Sequence, residues 1–296
     1  MNPNVTSAPV VGGRVASRKM TLDVIIALIP AFIASIVIFG LRALLVTVVC
    51  VAVAVLAEFV FEKCMKKPVT VCDLSAVVTG LLLALCLPVS IPLWIAGLGS
   101  VVAIIVVKQL FGGIGQNFAN PAITARVILL VSFGMEMSNY AVDGVSSATP
   151  LSGVNPGLLP LFLGQHGGCL GETCTVALLI GAIYLLIRKT ISWHIPVSYL
   201  ATVAVISLIT GQDVLLQLMG GGLLLGAVFM ATDPNTSPSS GLCKVIYGVG
   251  CGLLTMMIRL LGATAEGVSY AILLMNILTP HIEKIGARKA VGGDAA

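Results

Sequence analysis

The chain is poor in charge. Only 9% of its 296 residues are Asp, Glu, Lys or Arg, against roughly 25% in a soluble globular domain. A fold this size cannot cover itself with water-compatible surface from so few polar groups. The three histidines, His166, His194 and His281, are scattered, and none of the eight cysteines forms a Cys-x-x-Cys pair. Neither pattern builds a zinc or iron–sulfur centre from this chain alone. Most of the cysteines sit in apolar runs, where Cys behaves as a small hydrophobe. Cys169 and Cys174 alone share a polar loop, where a disulfide is one option. Between Glu136 and Glu172 there is no Lys or Arg at all. The net charge of +4 gives no support for nucleic-acid binding, because its basic residues are distributed by topology.

What is abundant is apolar sequence: 58% hydrophobic residues and a mean hydropathy of +1.09. About 20 apolar residues cross a bilayer. Ten segments approach that length, at 21–40, 43–61, 70–88, 92–111, 118–134, 171–188, 194–210, 213–231, 242–261 and 266–283, the fifth and eighth being short or interrupted. The fold class expected is an all-α polytopic membrane protein. Residues 1–20 and 286–296 are read as cytoplasmic tails, 21–285 as one transmembrane domain, and 135–171 as a loop on the outer face. With the N-terminus inside, 13 of the 16 basic residues fall on the inner side. Arg42 and Arg259 are the outer exceptions, and Arg126 lies within a span. That bias follows the positive-inside rule and puts both termini in the cytoplasm.

Two stretches interrupt the hydropathy in related ways. One runs from Gly112 to Asn120-Pro121, the other from Gly220-Gly221-Gly222 to Thr232-Asp233-Pro234. Free backbone groups at membrane depth persist only where protein or a wet cavity satisfies them. Broken helices at corresponding positions point to a binding site between inverted repeats. Thr79-Gly80 with Pro92 and Trp94 is echoed by Ile180-Gly181 with Trp193 and Pro196, an odd-numbered offset that makes the copies face opposite ways. Asp23, Glu58, Asp73, Lys108, Arg126, Glu172 and Asp233 are ionisable residues in or beside spans and so functional candidates. Most lie near a predicted end, where snorkelling to water would suffice. On these features alone, a small-solute channel or secondary transporter fits, and so does a purely structural subunit.

The loop at 135–171 contains Asp143-Gly144-Val145-Ser146-Ser147-Ala148-Thr149-Pro150-Leu151. Thr149 is a secondary alcohol between small Ala148 and Pro150, in a turn-forming context. Asp-x-x-Ser-x-Ala-Thr resembles the acceptor motif on which a flavin transferase esterifies the phosphate of FMN to the last Thr. One position departs from that motif: Ser147 stands where the family has Gly. With Pro-Leu following in so apolar a chain, the motif resembles the D subunit of the Rnf complex and the B subunit of the sodium-pumping NADH:quinone reductase. The likeness extends over residues 20–285 through Ser75 to Pro88, Gly112 to Pro121, Gly171-Glu172 with Ser192 to Pro196, and Ala231 to Pro238. Its length brings it closer to the Rnf protein.

The resemblance implies a complex passing electrons between ferredoxin and NAD while moving Na+ or H+. It implies FMN on Thr149, in a site with Asp143, Ser146, Ser147 and Ala148, and a second, non-covalent flavin such as riboflavin in the bundle, with Asn120 and Asp233 as candidate contacts. The implied partners are the A, B, C, E and G subunits of the complex, the flavin transferase and the lipid bilayer. NAD would bind elsewhere, since no Gly-x-Gly-x-x-Gly follows a strand here.

Overall fold

The computed structural model describes residues 14–142, 145–146, 151, 157–164, 166–172, 174–262 and 267–292. They form a helical bundle. Helices α1 (Arg14–Phe39) and α2 (Leu41–Cys64) are joined by Gly40 alone, at φ +70°. α3 (Ser75–Leu85) and α4 (Leu93–Val101) follow, and α4 runs on as a π-helical segment, Val102–Gln109. α5 (Pro121–Ser132) and the single turn α6 (Gly134–Met137) lead to a two-stranded hairpin, β1 (Ala141–Val142) and β2 (Val145–Ser146). After α7 (Leu158–Leu163) come α8 (Thr175–Ile187), α9 (His194–Ile209) and α10 (Val214–Met219). α11 (Leu223–Leu225) passes into a second π segment, Gly226–Met230, before the long α12 (Gly241–Leu261) and α13 (Val268–Gly292).

The composition reading holds: apart from the short β1–β2 hairpin, this is a helical, apolar bundle. The spans are less uniform than hydropathy suggests. Among the described residues, Arg18–Phe39, α2 and α12 are the helices both long and apolar enough to cross a bilayer unaided. The predicted span 70–88 is a 3-10 turn, Val71–Asp73, followed by the 11 residues of α3, and 213–231 is cut into α10, α11 and a π segment. In the other direction, α1 starts at Arg14 and α13 runs to Gly292, into stretches read as tails. Helix hydrogen bonding does not stop where apolar sequence stops, and Lys and Arg are good helix formers.

α2 packs between α3 and α4, α12 between α9 and α13, and α1 against α8. One continuous apolar core spans both halves, while residues such as Val37, Leu41, Ile187 and Leu261 face outward, each more than 70% exposed. Outward apolar faces suit lipid; the core needs close backbone approach. The two echoed glycines supply it. A methyl on Gly80 would stand 2.8 Å from Val51 Cα of α2, and one on Gly181 would meet the Ala27 carbonyl of α1. The paired sequence signals therefore mark two helix crossings of the small-residue kind.

Overpacking at such a crossing costs on the order of 1–3 kcal/mol. Gly181→Ala should lower the thermal midpoint of the detergent-solubilised protein. Gly134→Ala, with nothing within 4 Å of the added methyl, should leave it unchanged. Equal midpoints for both variants would refute the packing assignment.

Candidate functional site

The two interruptions meet. Asn120 is the N-cap of α5: its Oδ1 accepts from the Ala122 and Ile123 amides at 3.0 and 3.3 Å, which satisfies orphan donors of the first turn. Pro121 occupies the first helical position, where its lack of an N–H costs nothing. The other end of the same amide, Nδ2, donates to Asp233 Oδ2 at 3.3 Å and to the Met230 carbonyl at 3.5 Å. Asp233 Oδ1 accepts from the Asn235 amide at 3.1 Å. A residue that starts one broken helix thus also closes the end of the other.

Both breaks are preceded by π-helical turns, Val102–Gln109 and Gly226–Met230. Such turns misalign the i→i−4 ladder and are frequent at functional sites. The chain between Gln109 and Asn120 is opened by Gly112, Gly113 and Gly115, at φ +116°, +98° and +82°, backbone values that side chains disfavour. Phe111 and Phe118 flank them, ring centroids 4.8 Å apart. Nearby, the Asn117 Oδ1 is buried without a partner among the described residues. Thr232, one residue before Asp233, donates to the Val228 carbonyl. The junction therefore offers an amide carbonyl, an amide N–H and a carboxylate around a glycine-lined turn.

The loop at 135–171 is a separate place. It leaves α5 at Ser132, at the far end from Asn120, about 18 Å away at 1.5 Å per residue. Asp143, Ser147, Ala148 and Thr149 lie outside the described residues. Ser146 is in β2, its backbone opposite Ala141 in the antiparallel pair. Sequence reading missed this hairpin, although Asp143-Gly144 between two valines is a strong hairpin signal. The loop is pinned at several described points. Ser90 donates its hydroxyl to the Asn139 carbonyl, Thr175 donates to the Leu161 carbonyl at 3.3 Å, and the Leu151 side chain lies against Gly220.

The ionisable residues pair inside the bundle, which overturns the snorkelling expectation for the most buried of them. Lys108 Nζ meets Glu58 Oε1 at 2.5 Å, with side chains 2% and 0% exposed. Gln109 Nε2 bridges Glu58 and Glu62, at 2.8 and 3.3 Å. Arg126 Nη2 meets Glu172 Oε1 at 2.9 Å, beside Cys169 Sγ at 3.3 Å. Glu172 lies against Gly222, where a side chain would collide with its carboxylate. Asp23 ties α1 to α8 by accepting from Arg188, Tyr184 and Thr190. Asp73 is a local cap, accepting from the Ser75 amide and hydroxyl at 2.9 and 2.7 Å. Cys169 and Cys174 each keep a thiol, so the disulfide option between them is not taken.

Removing one partner of a buried pair leaves an uncompensated charge, which costs about 3–5 kcal/mol. Lys108→Met should destabilise the protein on that scale, and Glu58→Leu combined with Lys108→Met should recover most of the loss. A double variant no more stable than the single one would contradict a buried ion pair.

The family model described as NQR2, RnfD, RnfE family matches residues 4–292. The chain is 47% identical to the D subunit of the Na(+)-translocating ferredoxin:NAD(+) oxidoreductase complex of Acetobacterium woodii, over 99% of this chain and 96% of that protein. It is 38% identical to the D subunit of the proton-translocating ferredoxin:NAD(+) oxidoreductase complex of Clostridium ljungdahlii, covering 95% and 93%. With the D subunit of the ion-translocating oxidoreductase complex of Stutzerimonas stutzeri the identity is 36%, covering 94% and 92%. Matches of this identity and coverage, on a helical bundle broken at two meeting points, show that the chain belongs to the NQR2, RnfD, RnfE family.

Proposed function

We propose that this chain is the flavin-bearing membrane subunit of an ion-translocating ferredoxin:NAD oxidoreductase. It works within the complex rather than alone, in the cytoplasmic membrane, with both termini inside and the loop 135–171 outside. FMN is held as a phosphoester on Thr149, placed there by a flavin transferase that reads Asp143, Ser146 and Ala148. Ser147 occupies the position before Ala148, and its hydroxymethyl group sets how fast that enzyme works. A second, non-covalent flavin sits by the Asn120–Asp233 junction. The A, B, C, E and G subunits are the partners, and Na+ or H+ is the ion moved.

The observation that carries this reading is the Asp-x-x-Ser-x-Ala-Thr sequence at 143–149 in a chain whose relatives are named as subunits of ferredoxin:NAD oxidoreductases. The junction fits the edge of a flavin ring by its chemistry. The Asn117 carbonyl oxygen is buried and without a described partner, Asp233 is a second acceptor, and Asn120 Nδ2 is a donor already aimed between the breaks. A bound isoalloxazine supplies one- and two-electron redox chemistry. The chain's own residues do the rest. Asn120 orients, Asp233 accepts, and the glycine turn at 112–115 gives the backbone close approach.

Thr149→Val, expressed with the transferase, should abolish flavin fluorescence in the denatured protein band without removing the protein. The native Thr149 peptide should carry the mass of FMN less one water. A bare Thr149 in the native host would defeat the covalent assignment. Asn120→Leu should leave the covalent band intact while releasing the second flavin on purification. Retention of that flavin would move its pocket elsewhere.

A further inference from the structure

A groove runs along α2 where it meets α4 and the π segment Val102–Gln109. Val53, Leu56, Ala57 and Val60, at helical spacings of three and four, form one wall, and Val101 and Ile105 form the other. The groove encloses about 260 Å³. Ala57 is its floor, buried between Leu56 and Val60, which stand at the rim, 60% and 54% exposed. Every lining side chain is hydrocarbon. From Val53 to Val60 the groove follows about 10 Å of helix at 1.5 Å per residue.

One end of this groove is charged. Three residues past Val60 the same helix stripe reaches Lys63, and α2 stops at Cys64. Lys66 then takes φ +53°, and the Lys67 amide donates back to the Glu62 carbonyl at 2.8 Å. The turn brings Lys67 Nζ to the Gln109 carbonyl at 3.4 Å, so this side chain links the two walls. Lys63 Nζ stands 5.7 Å from the centre of the Phe59 ring, and Lys67 Nζ 5.3 Å from that of Phe61. Phe59 and Phe61 flank Val60 in sequence and lie about 100° to either side of it around the helix. The two ammoniums therefore straddle the line of the groove. Lys63, Lys66 and Lys67 are exposed and make no salt bridge among the described residues. The nearby carboxylates are engaged elsewhere: Glu62 accepts from the Thr70 amide and Gln109 Nε2, and Glu58 from Lys108.

We infer that this groove binds an acidic phospholipid, with one acyl chain along Val53–Val60 and the headgroup phosphate between Lys63 and Lys67. Charge decides the class of ligand. Three ammoniums without carboxylate partners at the end of a hydrocarbon slot complement an anion that carries a chain. Size decides between a lipid and a helix of another subunit. A helix about 10 Å across fills roughly 800 Å³ over 10 Å of its length, about three times the groove, so only its side-chain tips would enter. A single hydrocarbon chain enters whole. The lysines suit the boundary, since their methylene stems lie on apolar surface while the ammoniums reach the headgroup. The inference rests on the bilayer reading of the chain and is independent of the flavin.

The test uses the assembled complex in phosphatidylcholine nanodiscs doped with phosphatidylglycerol that carries a photoreactive diazirine on one acyl chain. Illumination should label the peptides containing Val53–Val60 and Val101–Ile105. Phosphatidylcholine with the same tag should label them at least tenfold less. Excess untagged phosphatidylglycerol should compete the labelling away, and free glycerol phosphate should not. Lys63→Gln combined with Lys67→Gln should lower the labelling at least tenfold, and Ala57→Phe, which fills the floor, should do the same. Labelling at Leu253 and Met257, on the exposed face of α12, should stay constant and report an intact bundle. The comparison of the two headgroups needs only the native chain, so it decides whether or not a variant folds. Equal labelling by both headgroups would make the groove ordinary lipid-facing surface and overturn the proposal. Displacement by glycerol phosphate, labelling indifferent to the lysines, or a groove shielded by a partner's helix in the native complex would equally overturn it.

Discussion

The constraint on which the structure depends is that a helix broken inside an apolar bundle must find partners for its loose backbone groups. In hydrocarbon each unsatisfied group costs several kcal/mol. Here every break has a named solution. Past the end of α3, the Leu85 and Leu87 carbonyls accept from the Gly171 and Leu170 amides at 2.7 and 3.0 Å. Arg42 reaches the Val89 and Ile91 carbonyls, each at 3.2 Å. Arg259 does the same for Gln217, Gly220 and Gly221. Asn120 closes the remaining pair of ends with a single side chain. The breaks are thus supported features of the fold.

The same constraint explains what was legible in the sequence. Asn120-Pro121 and Asp233-Pro234 could be found, because Pro, Gly and a capping side chain leave a local mark. Their meeting could be guessed from corresponding positions in two halves. Their partners could not. Arg42 and Arg259 read in sequence as exceptions to a charge bias, whereas in three dimensions each is a cap for carbonyls far along the chain. Lys108 and Glu58 are 50 residues apart, and nothing in either neighbourhood announces the other. Hydropathy also overstated the spans, since a window average cannot distinguish a helix from a buried extended turn such as Leu87 to Ile91.

Charge is handled differently at the two levels. Along the chain, basic residues gather in the segments that the sequence reading puts on one side. Inside the bundle, those that remain are neutralised pairwise or spent on carbonyl oxygens. Lys108–Glu58 and Arg126–Glu172 each join segments from separate parts of the chain. A buried pair is weak support for stability but a strong constraint on register. The protein therefore gains from them a fixed arrangement of helices around its breaks, which any redox group or ion path would need.

Asn120 and Asp233 are 113 residues apart. A ribosome adding about 5–20 residues per second needs on the order of ten seconds to make the second after the first. Throughout that interval α5 can already be capped by the Asn120 Oδ1, while its Nδ2 has no Asp233 to bind. The amide that should bind Asp233 has to be sheltered by lipid headgroups, water or an insertion factor until its counterpart emerges.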